Sequence, residues 1–240
     1  MVLAIKFPGR LAGLCSEFSA NATSEAQPYS LAEAVVKSTL PKGDRIRVLT
    51  EFAQRGSLEH KRCVLQNLAE LDQQRCAEVL VPILDNFPAD SSGKYWTCPE
   101  AAFTHVVMQI EDDATWRRYL RVAKRSSIGL RMEIMNPLCY DYIGAKNRER
   151  RLAFAAAFLD DKALRDTSSN ADKFDGPSAA FTFPKITVRD FAALKVASIL
   201  RLGDCPDEFW TDAQWTALRE KVGQRLAAEK LPDLGSDKGR

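Results

Sequence analysis

Histidines, strand signals and long apolar runs are all scarce in this chain. Only two histidines, His60 and His105, stand in 240 residues. No paired-histidine site, HExxH, GxSxG, Walker A or GxGxxG motif occurs. The signatures of zincins, α/β-hydrolases and nucleotide-binding loops are therefore missing, and neither a metal nor a cofactor is expected. Cys98 and His105 make no dyad. Seven residues along one helix separate them by about 10 Å, too far for a hydrogen bond. The six cysteines, at 15, 63, 76, 98, 139 and 205, form no CxxC pair and suit no zinc ribbon. Dispersed thiols among apolar residues, such as Cys63 in KRCVLQNL, point to a reducing compartment and a cytoplasmic location. The longest apolar runs, such as Leu152 to Leu159, fall far short of the about 20 residues a membrane span needs. Lys6, Pro8 and Arg10 interrupt any secretory core near the N-terminus, so the Asn21-Ala22-Thr23 sequon reads as chance.

What the chain has is helix. Hydrophobic residues make up 45% and charged residues 28%, the balance of a chain that folds rather than stays disordered. Four capping boxes precede apolar patterns of helical period: Ser30 to Glu33, Thr97 to Glu100, Thr187 to Asp190 and Thr211 to Gln214. In each, the first side chain accepts an otherwise orphaned backbone amide and the fourth reaches back. Ten helices are predicted, over 30–39, 43–55, 57–71, 72–86, 97–110, 113–125, 127–138, 145–160, 186–201 and 211–229. Pro82 falls inside EVLVPILDNF and is expected to kink that helix rather than end it. The runs Phe181 to Phe183 and Tyr140 to Tyr142 have strand character but are too short for a sheet.

The organisation expected is a partly irregular N-terminal segment, 1–29, a helical-repeat domain, 30–230, and a flexible tail, 231–240. Within the domain, 161–185 is a long connection of a kind that usually serves function, with Phe174, Phe181 and Phe183 available to pin it.

Three helices look related: Arg62-Cys-Val-Leu-Gln-Asn-Leu-Ala-Glu-Leu, Arg150-Arg-Leu-Ala-Phe-Ala-Ala-Ala-Phe-Leu and Arg189-Asp-Phe-Ala-Ala-Leu-Lys-Val-Ala-Ser-Ile-Leu. Their leading arginines are 88 and then 39 residues apart, a period near 40 with two helices per unit. TVRDFAALKVASIL, with Val188, Arg189, Ala192, Ala193, Leu194 and Leu200, resembles the second helix of a HEAT-type repeat, and the other two are looser matches. The resemblance covers 57–71 and 145–201, and beyond these only the helix spacing. It implies an all-α fold, an α-α superhelix of about five stacked hairpins, with an irregular helical bundle as the alternative. It also implies a scaffold that binds protein or nucleic acid on a concave face, and no chemistry.

The most informative local feature is basic. Between 117 and 151 ten Lys and Arg face three acids, a net of +7 in a chain whose total is +2. Arg117, Arg121 and Lys124 recur at helical spacing, Arg118 and Arg125 widen the stripe, and Arg150 and Arg151 follow. Such asymmetry attracts an anionic partner, and Trp116, Tyr119, Tyr140 and Tyr142 are near enough in sequence to stack on bases. Solvated helix faces and ion pairs to Asp112, Asp113, Asp160 and Asp161 would produce the same pattern.

The leading expectation is a non-enzymatic scaffold that binds a protein partner on its concave face and the 161–185 loop, through Phe181 and Phe183. The alternative is a nucleic-acid-binding helical-repeat protein using 117–151. That alternative extends to glycosylase-like chemistry: Asp112, Asp113 and Trp116 beside Arg117 and Arg118 are loosely similar to helical-repeat DNA repair glycosylases, with no motif matching at residue level.

Overall fold

The computed structural model describes residues 26–55, 58–87, 103–140, 146–166 and 183–235. Among the described residues the chain is mostly helical. It begins with α1 (Ala26–Val36), α2 (Lys42–Arg55), α3 (Leu58–Leu71), α4 (Gln73–Asp85) and the short α5 (Thr104–Val107). Then come α6 (Asp113–Arg125), α7 (Ile128–Met135), a 3-10 helix (Asn136–Cys139) and α8 (Arg148–Ala156). Strands β1 (Leu164–Asp166) and β2 (Lys185–Thr187) lead into α9 (Val188–Leu200) and α10 (Asp212–Leu226).

Local caps explain most of these boundaries. The Asp72 side chain accepts the Arg75 amide at 2.9 Å and starts α4, which runs through Pro82 to Asp85. Asp112 accepts the amides of Ala114 and Thr115 at 3.3 and 2.8 Å and starts α6. Thr187 caps α9, and Thr211 with Gln214 forms a complete capping box on α10. Ser30 is not a cap. It lies inside α1, which begins at Ala26, because Pro28 falls in the first turn, where a missing N–H costs nothing. The Thr97 to Glu100 box lies outside the described residues.

Several expected helices are shorter, and the one expected over 97–110 is, among the described residues, only the single turn Thr104–Val107. Pro137 removes a donor after α7, and the chain tightens into the 3-10 helix instead of continuing to 138 as α-helix. Helix α8 starts at Arg148 rather than 145, because Asn147 adopts a left-handed backbone (φ 53°). Its amide Nδ2 donates to the Met108 and Ile110 carbonyls, both at 3.0 Å. The two strands also differ from the runs with strand character. The antiparallel ribbon pairs Arg165 with Ile186 and is closed by an Asp166–Lys185 ion pair of 3.0 Å, so it ties the two ends of the 161–185 connection together.

Packing is mostly between near neighbours in sequence. α1 lies against α2 and α3, α2 against α3 and α4, and α3 against α4 and α5. α4 meets α6, α6 meets α7 and α8, both of these meet α9, and α9 meets α10. One hydrophobic core runs through all of them. In the first half it holds Phe52, Leu65, Leu68 and Leu80, and in the second Trp116, Tyr119, Phe154 and Phe191. Each such side chain fully buried contributes roughly 1.5–3 kcal/mol. Phe154 meets Trp116 edge-on at 6.0 Å and Tyr119 at 5.6 Å.

Candidate functional site

The basic stretch 117–151 is the first candidate, and the structure disperses it. Four of its arginines make ion pairs: Arg118 with Asp85 (3.5 Å), Arg131 with Asp161 (2.8 Å), Arg148 with Glu229 (2.8 Å) and Arg150 with Asp113 (2.7 Å). Others cap helix ends. Arg125 donates to the Leu84 and Phe87 carbonyls at the end of α4, and Arg151 to the Leu138 carbonyl in the 3-10 helix at 2.9 Å. Arg131 also donates to the Ser126 carbonyl after α6, and Arg117 to the Asp233 carbonyl at 3.0 Å. Arg45 serves the end of α1 in the same way, through Val36. A helix C-terminus leaves carbonyls unsatisfied and carries partial negative charge, so a guanidinium fits there twice over. A sequence signal existed: neither α1, α4 nor the 3-10 helix has a basic residue in its own last turn.

What stays at the surface is smaller. Arg121, Lys124 and Arg125 are exposed on α6, Arg125 while it donates to the end of α4, with Arg117 half-buried beside them, and Lys146 is exposed before α8. The aromatics do not join this face. Trp116 and Tyr119 are both 0% exposed, with Trp116 Nε1 donating to the Ile110 carbonyl at 2.8 Å and the Tyr119 hydroxyl 2.6 Å from Thr104 Oγ1. The expectation that they stack on bases therefore fails for these two: they are core. Tyr142 and Phe181 lie outside the described residues. Phe183 is only 6% exposed and meets Trp215 edge-on at 5.5 Å, so it anchors the ribbon to α10 from within.

Asp112 and Asp113 are similarly occupied. Asp113 holds Arg150, and Asp112 caps α6. Burial raises the Asp112 carboxyl, but hydrogen bonds from Thr115 and Ala114 and the Arg118 charge outweigh it and hold the group below its ordinary range.

A second candidate is a groove of about 430 Å³ where α2, α3 and α4 meet. Leu58, Val79, Ile83 and Phe87 supply apolar walls, and Lys61, Arg75 and Glu78 stand at the charged positions. Arg75 is held by Glu78 at 2.7 Å and leans on Thr50 at 3.4 Å. One wall comes from α4, where Pro82 lines the groove beside Val79 and Ile83.

The third feature is internal. Lys195, on α9, is 8% exposed. Its Nζ donates to Asn136 Oδ1 at 2.7 Å, sits 3.7 Å from Cys139 Sγ and lies 4.7 Å from the Phe191 ring centre. Asn136 Nδ2 donates onward to the Tyr140 hydroxyl at 3.2 Å, and Tyr140 stacks at a tilt on His105. Burial pushes the Lys195 ammonium down, with Cys139 and Glu133 pulling partly back. Burial pushes His105 down too, aided by the Arg62 charge, and pushes the Tyr140 phenol up. Sequence reasoning missed this cluster. Its one signal was a lysine set among the apolar residues of FAALKVASIL.

Among the described residues no group of three His, Cys, Asp or Glu side chains could hold a metal ion, and no helix is long and apolar enough to cross a membrane. No family model, curated protein or solved structure matches the chain.

Proposed function

We propose that this protein is a non-enzymatic interaction scaffold, a HEAT-like array of stacked helical hairpins that binds a protein partner. The carrying observation is the open groove between α2, α3 and α4. Its size is that of a site for one or two large apolar side chains. Apolar walls beside Lys61, with Arg75 already paired to Glu78, suit a partner segment with an apolar anchor and an acidic group near Lys61. Packing mostly between near neighbours fits the stacked-array reading, although the C-terminal segment turns back onto α6 through Arg117 and Asp233 and onto α8 through Arg148 and Glu229. The 161–185 loop is the second binding element in this reading, and Phe181 rather than the core residue Phe183 is the position to test.

Ile83→Glu combined with Lys61→Glu should lower partner co-purification at least tenfold while the far-ultraviolet circular dichroism stays unchanged. Equal recovery of the same partner by wild type and variant would remove the groove from the proposal.

A second reading, nucleic-acid binding, keeps one favourable observation: Arg121 and Lys124 remain exposed on one face of α6, beside Arg117. Neutralising phosphates releases counterions, so binding would weaken steeply with salt. Arg121→Glu with Lys124→Glu should abolish duplex or single-strand binding measured at about 50 mM salt. No binding by the wild type under that condition sinks this reading.

A further inference from the structure

The groups at the 3-10 helix and α9 form a reactive pair that the scaffold reading does not use. Asn136 Oδ1 holds the Lys195 amine, and the same geometry places that amine 3.7 Å from Cys139 Sγ. The two residues are 56 apart in sequence. The amine is buried, whereas Cys139 is partly exposed at the end of the 3-10 helix.

The other described cysteines lack this combination. Cys63 and Cys76 are buried, and burial pushes the Cys76 thiol far up, which keeps it protonated and inert. Cys205 is exposed, with the Gly203 carbonyl as its hydrogen-bond partner.

We propose that Cys139 and Lys195 form a reversible covalent cross-link, a sulfenamide, when the protein meets a hydroperoxide. Cys139 sulfur attacks one peroxide oxygen, the O–O bond breaks, and water leaves, giving the sulfenic acid. The lone pair of Lys195 Nζ then attacks that sulfur. The S–O bond breaks as the S–N bond forms, and the departing hydroxide takes a proton from nitrogen to leave as a second water. Thiol, amine and hydrogen peroxide become sulfenamide and two waters, so no further oxidant is required. Burial disfavours the charged ammonium, against the opposing pull of Cys139 and Glu133, and so shifts Lys195 toward the neutral amine this attack needs. Thiols such as dithiothreitol return both groups to their starting forms by attack on the sulfur.

The bond would staple the 3-10 helix to α9 across the second half of the core. The test treats the full chain with hydrogen peroxide, digests it with trypsin and reads the peptides by mass spectrometry. The expected product is a linked pair containing Cys139 and Lys195, lighter than the sum of its parts by two hydrogens, with no cleavage after Lys195. Dithiothreitol should release it, and C139S should lack it. Oxidised wild type should also melt at a higher temperature than the reduced protein, a shift that dithiothreitol reverses and C139S does not show.

Three outcomes overturn the proposal. Cys139 is recovered as sulfinic acid with Lys195 still cleaved, or in a disulfide with another cysteine of the chain, or the linked pair carries an additional oxygen atom.

Discussion

The two halves of this molecule bury different things. Among the described residues between 26 and 87 the buried polar side chains are Thr50 and Asn67, both neutral. The charges of that half sit outside in short-range pairs, such as Lys37 with Glu33 and Arg75 with Glu78. Among the described residues every buried charged side chain lies further on: Glu133, Arg151, Arg165, Asp190 and Lys195. The first half is thus held by apolar burial, which is non-directional. The second adds buried polar and charged contacts, such as Asp190 with Arg219, Arg151 with the Leu138 carbonyl and Lys195 with Asn136, which favour one arrangement of α8, α9, α10 and the 3-10 helix. The open groove belongs to the first half and the reactive pair to the second.

The largest effect should come from the apolar half. Phe52 is fully buried, and Phe52→Ala should lower unfolding free energy by about 3–5 kcal/mol in urea titration. The loss should be the same at pH 5 and pH 8, since no charge is involved. A markedly pH-dependent loss would blur the contrast between the halves.

Asp190 probes the charged half. It accepts from Thr187 Oγ1 and Arg219 Nη1, joining the start of α9 to α10. Asp190→Ala leaves the half-buried Arg219 without that carboxylate and should cost about 3 kcal/mol by thermal or urea unfolding. A cost under about 0.5 kcal/mol, the range of ordinary surface substitutions, would show that the network adds nothing.

Acid should weaken the molecule through identifiable groups. His105 has a folded pKa below its ordinary value through burial and Arg62. As pH falls past about 6.5 the unfolded chain takes up a proton that the folded chain resists, so stability falls. Glu229 is lowered by its hydrogen bonds from Arg148, and Asp112 by those from Thr115 and Ala114 despite burial. Their contribution is present above the ordinary carboxyl range and is lost as pH falls through the depressed folded values. The urea midpoint should therefore drop between pH 7 and 5. His105→Asn should flatten that first step and leave the later carboxyl step in place.

The smallest effect concerns one exposed cap. Thr211→Ala removes the side chain that accepts the Gln214 amide at the start of α10 and should cost about 1 kcal/mol, read as a small fall in melting temperature.

Legibility followed range. The span 113–125 of α6 was readable because Asp112 sits three residues from Thr115, so the cap is local. Thr187 and Thr211 were readable for the same reason. The missed start of α1 was a competition between two local signals, Ser30 and Pro28, that the sequence does not rank. The candidate site was less legible. Arg125 finds the end of α4 about forty residues back, and Lys195 finds Asn136 at a separation of 59. No periodicity within a helix encodes such meetings.

The amino-acid sequence by itself determined a helical chain without a metal or nucleotide motif, because caps and apolar spacing act over a few residues. Only the tertiary structure decided which positive charges face solvent and which cap carbonyls or sit buried beside a thiol. The energy of a charge depends on what lies within a few ångströms of it, and those neighbours come from distant parts of the chain.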